Sequence, residues 1–505
     1  MISIVFIVSR VSGRVTAQAG RFFTQENKDF SVMAEQMSTF LTVVGGGPGG
    51  YAAAFHAADL GLEVTLVDTE PNPGGTCLYR GCIPSKALLH VAKLINDTRE
   101  AAEWGLEFGE PKMDLEKVRR KTRSVVEQMT GGLGQLCRAR GLNHIQGRAG
   151  FLDSNTLAVF HNDGSEIVLK TQHTIIASGS RPTLFGPLIN SPRLMNSTSA
   201  LQMEEIPETL LVIGGGYIGL ELGSVYASLG SKVTVVEMAD GLLAGADRDL
   251  VKPLHARLQT LMHEILLGTK VSGMKEEKHG IRVTLEGPAV GELSRLFDRV
   301  LVCVGRRPNS SGLNLSSTGV TVNKKGFIEV DAQRRTSDPA IFAVGDVAGE
   351  PMLAHKASAE GRVAASVIAG KPAAFEPQAI PAVVFTDPEL AWCGLTESAA
   401  AAAGRTVHVA RFPWAASGRA TTLSRSDGLT KLLTDPDTGQ ILGVGICGAG
   451  AGELIAEGVL AIEMGATAED LDLTIHPHPT LSETVMESAA ALFGLSTHIY
   501  RPKRG

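Results

Sequence analysis

Two thiols, a histidine and a carboxylate are the groups in this chain best suited to moving electrons and protons. Cys77 and Cys82 stand in the stretch Gly74-Gly75-Thr76-Cys77-Leu78-Tyr79-Arg80-Gly81-Cys82-Ile83-Pro84-Ser85-Lys86. Thiols this close can close a small, reducible disulfide if the backbone brings their side chains together. The stretch leads into a helix that Pro84 can start, since proline is tolerated in a first helical turn. A helix N-terminus carries partial positive charge and favours a thiolate. The competing readings are a metal half-site or two unrelated core cysteines. A metal site wants further Cys or His ligands at close spacing, and none lie near. Towards the other end, Ile475-His476-Pro477-His478-Pro479-Thr480-Leu481-Ser482-Glu483 offers a proton carrier for neutral pH and a carboxylate to fix its tautomer. Thr480-x-x-Glu483 also reads as a capping box opening the last helix, and the histidines as residues of a solvated loop.

These groups need a scaffold, and the chain spells one out twice. Phe40-Leu41-Thr42-Val43-Val44 reads as an apolar strand running into Gly45-Gly46-Gly47-Pro48-Gly49-Gly50, then an Ala-rich helix that Gly61 stops, then a second strand ending at Asp68. Leu210-Leu211-Val212-Ile213, Gly214-Gly215-Gly216-Tyr217-Ile218-Gly219, a helix and a strand ending at Glu237 repeat the pattern. Gly45, Gly47 and Gly50 in one copy, and Gly214, Gly216 and Gly219 in the other, let backbone N–H groups approach a pyrophosphate at a helix N-terminus. In both copies the acid follows the first glycine by the same 23 positions, Gly45 to Asp68 and Gly214 to Glu237, where it can take ribose hydroxyls. Each copy continues through a β-rich segment, with a hairpin signal at Asn162-Asp163-Gly164 in the first, and closes on Gly-x-Arg-Pro at Gly179 and Gly305. The cysteine segment and its helices are an insertion in the first copy.

Glu237 favours a free ribose 2′-hydroxyl, hence NAD over NADP, and Met238 to Leu243 contain no basic residue. FAD is expected in the first copy. Ala340-Ile341-Phe342-Ala343-Val344-Gly345-Asp346 supports this, because an aspartate after such a strand can accept hydrogen bonds from the flavin polyol. From about Gln378 the chain reads as a separate α/β domain without nucleotide-binding glycines. The fold class is thus α/β, with two Rossmann-like dinucleotide-binding domains and a C-terminal α/β domain.

Composition fits an ordinary globular protein of about three domains: 505 residues, 44% hydrophobic and 20% charged. A net charge of −6 argues against a nucleic-acid or anionic-membrane surface. Six cysteines are too few for a secreted disulfide framework, and Cys137, Cys303, Cys393 and Cys447 read as small buried hydrophobes. Residues 1–39 stand apart. Met1 to Val8 is too short to span a membrane, and Ala17-Gln18-Ala19 resembles a signal cleavage site but lacks a basic segment before it. Arg10, Arg14 and Arg21, with no acid before Glu26, imitate a transit peptide. The preferred reading is a disordered extension or an over-long start, with Met33 or Met37 as beginnings. The expected location is the cytoplasm.

Taken together, the cysteine stretch, both glycine fingerprints, Gly345-Asp346 and His478-Pro479-Thr480-Leu481-Ser482-Glu483 resemble the lipoamide branch of the pyridine nucleotide–disulfide oxidoreductases, the dihydrolipoamide dehydrogenases, over about residues 40–496. The resemblance implies an FAD domain (40–187) with tight, non-covalent FAD, an NAD domain (188–308), a central domain completing the FAD site (309–377) and a dimer-interface domain (378–505). It implies a homodimer whose active sites use both subunits, and a lipoylated protein or domain as partner. Cys77 is then the interchange thiol and Cys82 the thiol against the flavin. His478 of the partner subunit takes the substrate proton, and Glu483 orients it. Lys86 matches the lysine near the flavin, paired with a glutamate at Glu221. Ser178 and Gly179 match the residues closing the FAD site, and Gly305 the equivalent turn of the NAD domain. The chain departs from the family at Tyr79-Arg80, where Asn-Val is common, and at Ser178, Pro477 and Asp68, where threonine, alanine and glutamate are usual. Glutathione reductase would want basic residues after Glu237, mercuric and large thioredoxin reductases extra C-terminal cysteines, and soluble transhydrogenase no cysteine pair. A flavin-bound scaffold without turnover is the alternative from another class, against which the intact Cys77, Cys82, His478 and Glu483 speak.

Overall fold

The strand that opens the first fingerprint lies in the interior of its sheet. In the computed structural model, which describes residues 35–500 apart from 110, 184–188 and 289, Glu35–Val44 pairs in parallel with Val64–Asp68 on one side and Glu166–Ile176 on the other. Asn143–Asp153 extends the sheet beyond Val64–Asp68, Thr156–His161 joins it antiparallel to Glu166–Ile176, and Ile341–Ala343 closes the far edge. Leu41, Val43, Leu66 and Ile175 are fully buried, as expected of parallel strands covered on both faces. The strand starts five residues ahead of Phe40. Glu35 to Ser38 are exposed and lack apolar alternation, and backbone pairing with Ile167 to Lys170 carries them. The leader features at 1–34 and the boundary at 187–188 lie outside the described residues.

The second fingerprint sits in a five-stranded parallel sheet. Its order is Glu264–Leu266, Lys232–Val236, Thr209–Ile213, Arg299–Val302 and Leu194–Asn196, with a three-stranded antiparallel sheet over 270–297 following the same fold. A third sheet, wholly antiparallel, runs Ala382–Val384, Glu389–Gly394, Ile441–Gly448, Leu429–Thr434, His408–Pro413. Trp414, Leu432, Ile446, Ile455 and Val485 form its core with the helices Ala451–Glu463 and Glu483–Phe493.

The chain divides into two compact units. One gathers the described residues up to Cys77 with Met129–Arg181 and Arg307–Phe375; the other holds Leu78–Gln128, Pro182–Arg306 and the residues from Glu376 onward. Cys137, Cys393 and Cys447 are buried and Cys303 half-buried. Burial pushes the thiols of Cys303, Cys393 and Cys447 up to about 12, so these cysteines behave as small hydrophobes. Among the described residues, no helix is long and apolar enough to cross a membrane.

Candidate active site and its nucleotide cradles

The two fingerprints build the same cradle. Gly45 has φ +105 and a Cβ there would stand 2.3 Å from Ala177 O; Gly214 has φ +110 and its Cβ would stand 2.3 Å from Cys303 O. The third glycine of each set packs on the first: a Cβ on Gly50 would lie 1.8 Å from Gly45 O, and one on Gly219 2.2 Å from Gly214 O. Only glycine fits at these four positions. The middle glycines differ in kind. A Cβ on Gly216 would meet nothing within 4 Å, and one on Gly47 only Gly75 Cα at 3.9 Å. Gly47 and Gly216 are also the N-caps of the helices Pro48–Asp59 and Tyr217–Ser228, and neither helix has a side-chain cap. Both helices thus begin, without a side-chain cap, at a glycine with room beside its Cα, an arrangement that lets a diphosphate approach the helix N-terminus.

The acids close the cradles in matching ways. Asp68 Oδ2 accepts the Gly46 N–H at 2.5 Å and Oδ1 the Glu70 N–H at 2.9 Å. Glu237 Oε2 accepts the Gly215 N–H and Oε1 the Ala239 N–H, both at 2.7 Å. The first basic residue after Glu237 is Arg248, and its guanidinium donates to the carbonyls of Leu242, Leu243 and Ala246 at 2.5–2.7 Å. That arginine is committed to its own loop rather than to a 2′-phosphate, consistent with NAD. Gly305, at φ +111, accepts the Thr183 N–H at 3.0 Å.

Asp346 follows Gly345, at φ +75, in a 3-10 turn after the Ile341–Ala343 strand. Its carboxylate accepts the Ser180 hydroxyl at 2.5 Å. Ser178, singled out in the sequence, instead donates its hydroxyl to Asn309 O at 2.9 Å, while Gly179 O accepts the Asn309 N–H at 2.9 Å. The partner of Asp346 is therefore Ser180, one residue past the glycine.

Cys77 is the third residue of the helix Gly75–Arg80, and Cys82 the first of the helix Cys82–Glu100. Cys77 is half-buried and Cys82 exposed. The second helix begins two residues before Pro84, so Cys82 itself occupies the N-terminus where a thiolate is favoured. One turn on, Lys86 Nζ lies 2.7 Å from Glu221 Oε2 and 4.5 Å from the centroid of the Phe385 ring. Glu221 Oε1 accepts the Phe385 N–H at 3.0 Å. The expected Lys86–Glu221 pair is present, with an aromatic third member that the sequence alone did not mark.

The two histidines near the C-terminus have different surroundings. The His476 side chain is only 5% exposed, its Nδ1 facing Thr474 O at 2.8 Å and its Nε2 facing Glu457 at 2.6 Å. His478 is 70% exposed, and its Nδ1 donates to Glu483 Oε1 at 2.8 Å, which leaves Nε2 free to accept a proton in the neutral ring. Burial pushes the Glu483 carboxyl up, but the Thr480 N–H, at 2.7 Å from Oε2, and His478 outweigh it and hold it below the usual carboxylate range. The capping box is only half made. Ser482, not Thr480, is the N-cap of Glu483–Phe493, and the Thr480 hydroxyl turns to Pro477 O and Ser482.

Residues 40–361 match the family model described as pyridine nucleotide-disulphide oxidoreductase, and residues 380–489 match that family's dimerisation domain. The chain belongs to the pyridine nucleotide–disulphide oxidoreductase family. This oxidoreductase is 46% identical to a dihydrolipoyl dehydrogenase of Haemophilus influenzae, over 93% of this chain and 98% of that protein. It is 45% identical to the dihydrolipoyl dehydrogenase of Haloferax volcanii, over 91% and 97%. Among solved structures it is similar to LpdA of Mycobacterium tuberculosis, with a TM-score of 0.83, 25% identity and coverage of 90% and 99%. It is also similar to the HOCl-induced flavoprotein disulfide reductase RclA of Escherichia coli, with a TM-score of 0.79, 26% identity and coverage of 89% and 99%.

The oxidoreductase is an enzyme with FAD and NAD as cofactors, and its two cradles fit two dinucleotides. Its dimerisation domain supports a homodimer, and that domain exposes Leu460, Met464, Leu473 and Ile475.

Proposed function

We propose that the chain is a dihydrolipoyl dehydrogenase, in which Cys77 and Cys82 exchange a disulfide with a protein-bound dihydrolipoyl group, His478 is the base and Glu483 orients it. The observation that carries this is the His478–Glu483 dyad, whose Nε2 faces outward in a chain that also holds a thiol at a helix N-terminus. A dihydrolipoyl thiol is mostly protonated at neutral pH and only its thiolate attacks, so a base is required. His478 Nε2 takes that proton, and the Glu483 carboxylate stabilises the imidazolium. The substrate thiolate attacks Cys77 Sγ, breaking the Cys77–Cys82 bond and releasing Cys82 as thiolate. The second substrate thiol passes its proton to the departing Cys77 sulfur as its own sulfur attacks the mixed disulfide at the substrate sulfur. This forms the lipoyl disulfide and frees Cys77 as a thiol beside the Cys82 thiolate, with the first proton still on His478. The two electrons now reside in the Cys77/Cys82 dithiol. Bound FAD supplies the two-electron carrier between that dithiol and NAD.

In this reading Gly45, Gly47, Gly50, Asp68, Ser178, Gly179, Gly345 and Asp346 hold FAD within 40–187 and 309–377. Gly214, Gly216, Gly219, Glu221, Glu237 and Gly305 hold NAD within 188–308. Lys86 and Glu221 stand by the flavin, and His478 serves the partner subunit's thiols through the 378–505 domain. A lipoylated carrier protein and a cytoplasmic location belong to the same proposal. The test is an anaerobic titration of the yellow holoenzyme with dihydrolipoamide, followed by NAD. A long-wavelength thiolate–flavin band that gives way to NADH formation is expected. Flavin reduction by NADH alone, with no response to dihydrolipoamide, would sink the substrate assignment.

A further inference from the structure

Glu360 lies in the helix Ala354–Ile368, and its side chain is fully buried. Three donors converge on it. Gly345 N–H reaches Oε2 at 2.7 Å, while Arg334 Nη1 at 2.8 Å and Lys356 Nζ at 2.9 Å reach Oε1. Lys356 is 5% exposed and also donates to Gly349 O at 3.2 Å. Arg334 holds a left-handed φ of 65, stands 5.1 Å over the Phe375 ring and keeps a buried Nε without a hydrogen-bond partner. Desolvating three charges, straining a non-glycine backbone and orphaning a donor are all costly. Such costs are retained where the surroundings fix a geometry that matters. The geometry fixed here is the Gly345 turn, because the Glu360–Gly345 bond belongs to no helix or sheet ladder. The next residue is Asp346, held from its other side by Ser180. The same helix also closes on the first fingerprint, where a Cβ on Gly361 would lie 2.4 Å from Gly49 O.

We propose that Glu360, held by Arg334 and Lys356, is a positioning residue for FAD: it fixes the Gly345–Asp346 turn so that the Asp346 carboxylate meets the flavin polyol preformed. This rests on the reading that the first nucleotide fold holds FAD. The helix Ala354–Ile368 then ties the phosphate-binding glycines and the polyol-binding turn into one rigid element, and binding need not order the turn.

The test compares FAD retention in Glu360→Asp, Glu360→Gln and Val159→Ala holoenzymes, following the rise in flavin fluorescence as FAD is released on dilution, alongside apoprotein melting. Glu360→Asp keeps the charge but withdraws the carboxylate by one methylene, so it cannot span Gly345 and both cations. Its FAD dissociation constant is expected to rise about tenfold, the loss of one charge-assisted hydrogen bond. Val159 is fully buried in the same unit, and its truncation is expected to lower the melting temperature with FAD affinity unchanged. Wild-type affinity in Glu360→Asp overturns the proposal, as does a loss in Val159→Ala equal to that in Glu360→Asp at matched melting temperature. Where Glu360→Gln does not fold, Glu360→Asp decides alone. Wild-type protein that binds NAD but no FAD overturns the FAD reading itself, and this proposal with it, whereas a flavin-loaded wild type with an unaffected Glu360→Asp overturns only the positioning role.

Discussion

Lys431→Met is the most informative stability perturbation this chain offers. The Lys431 side chain is 1% exposed, and its ammonium donates to Asp247 Oδ2 at 2.7 Å, Asp249 Oδ1 at 2.7 Å and Glu397 Oε1 at 2.8 Å. Arg411 also pairs with Asp249 and Glu397. Three carboxylates arranged as a metal would hold them are therefore filled by the protein's own cation. Removing it leaves buried negative charge against a single arginine, which costs about 3–5 kcal/mol. The pH dependence supplies a second, independent sign. Burial pushes the Asp247 carboxyl up, but the Lys431 ammonium, the Ser398 hydroxyl and the N–H groups of Glu397 and Ser398 outweigh it and bring it down to about 2. Because the folded value lies below the ordinary 3.8, this carboxylate contributes about 2 kcal/mol that is fully present above pH ~4 and is lost as pH falls towards ~2. Without Lys431 the Ser398 and Glu397 donors remain, so the carboxyl moves up from about 2 towards its ordinary value, and acid costs the variant less than it costs the wild type. Urea unfolding of the holoenzyme, followed through tryptophan fluorescence, is expected to show a gap of about 3–5 kcal/mol at pH 7 that narrows by about 1 kcal/mol by pH 3. Trp414 is a local reporter, since its Nε1 donates to Thr430 at 2.9 Å. A gap below about 1 kcal/mol, or one that widens in acid, would refute the reasoning.

His478→Gln should cut dihydrolipoamide-dependent NADH formation by about 10²–10⁴ while NADH still reduces the flavin; a variant within a few-fold of wild type removes His478 from the chemistry. Cys82→Ser should retain FAD and lose all NAD-dependent dihydrolipoamide oxidation, as measured in a coupled spectrophotometric assay. Full activity there would instead favour a site that does not use the pair. Gly219→Ala brings a methyl 2.2 Å from Gly214 O, so calorimetry should register loss of NAD binding with the flavin spectrum intact.

Much of the site was legible because its chemistry demands rare residue types at fixed spacing. Gly45, Gly50, Gly214 and Gly219 are set by backbone contacts that exclude any Cβ, so the sequence had to declare them. His478 and Glu483 are joined within one short segment, and a spacing of five residues carries the dyad. What stayed hidden depends on which of several similar groups the tertiary structure selects. Ser178 and Ser180 flank the same glycine, and only the approach of Asp346 distinguishes them. His476 and His478 are near twins in sequence, separated by the arrival of Glu457 from another helix. Glu360 sits in an ordinary amphipathic helix, and nothing local shows that its carboxylate turns inward to Gly345. The start of the first strand at Glu35 was equally invisible, since main-chain pairing rather than side-chain pattern holds its exposed end.

The carboxylate of Glu237 bears on any attempt to re-engineer cofactor preference. It serves as a mortise for its own loop, with one oxygen on Gly215 and the other on Ala239. Replacing it with an arginine to welcome a 2′-phosphate would remove negative charge and unfasten two backbone N–H groups at once. The nearby Arg248 is already spent on three carbonyls and cannot be recruited without opening the same loop. A switch to the phosphorylated dinucleotide therefore calls for a new acceptor for Gly215 and Ala239 before a new cation, and single charge-reversal designs at this position should lose the old cofactor without gaining the other.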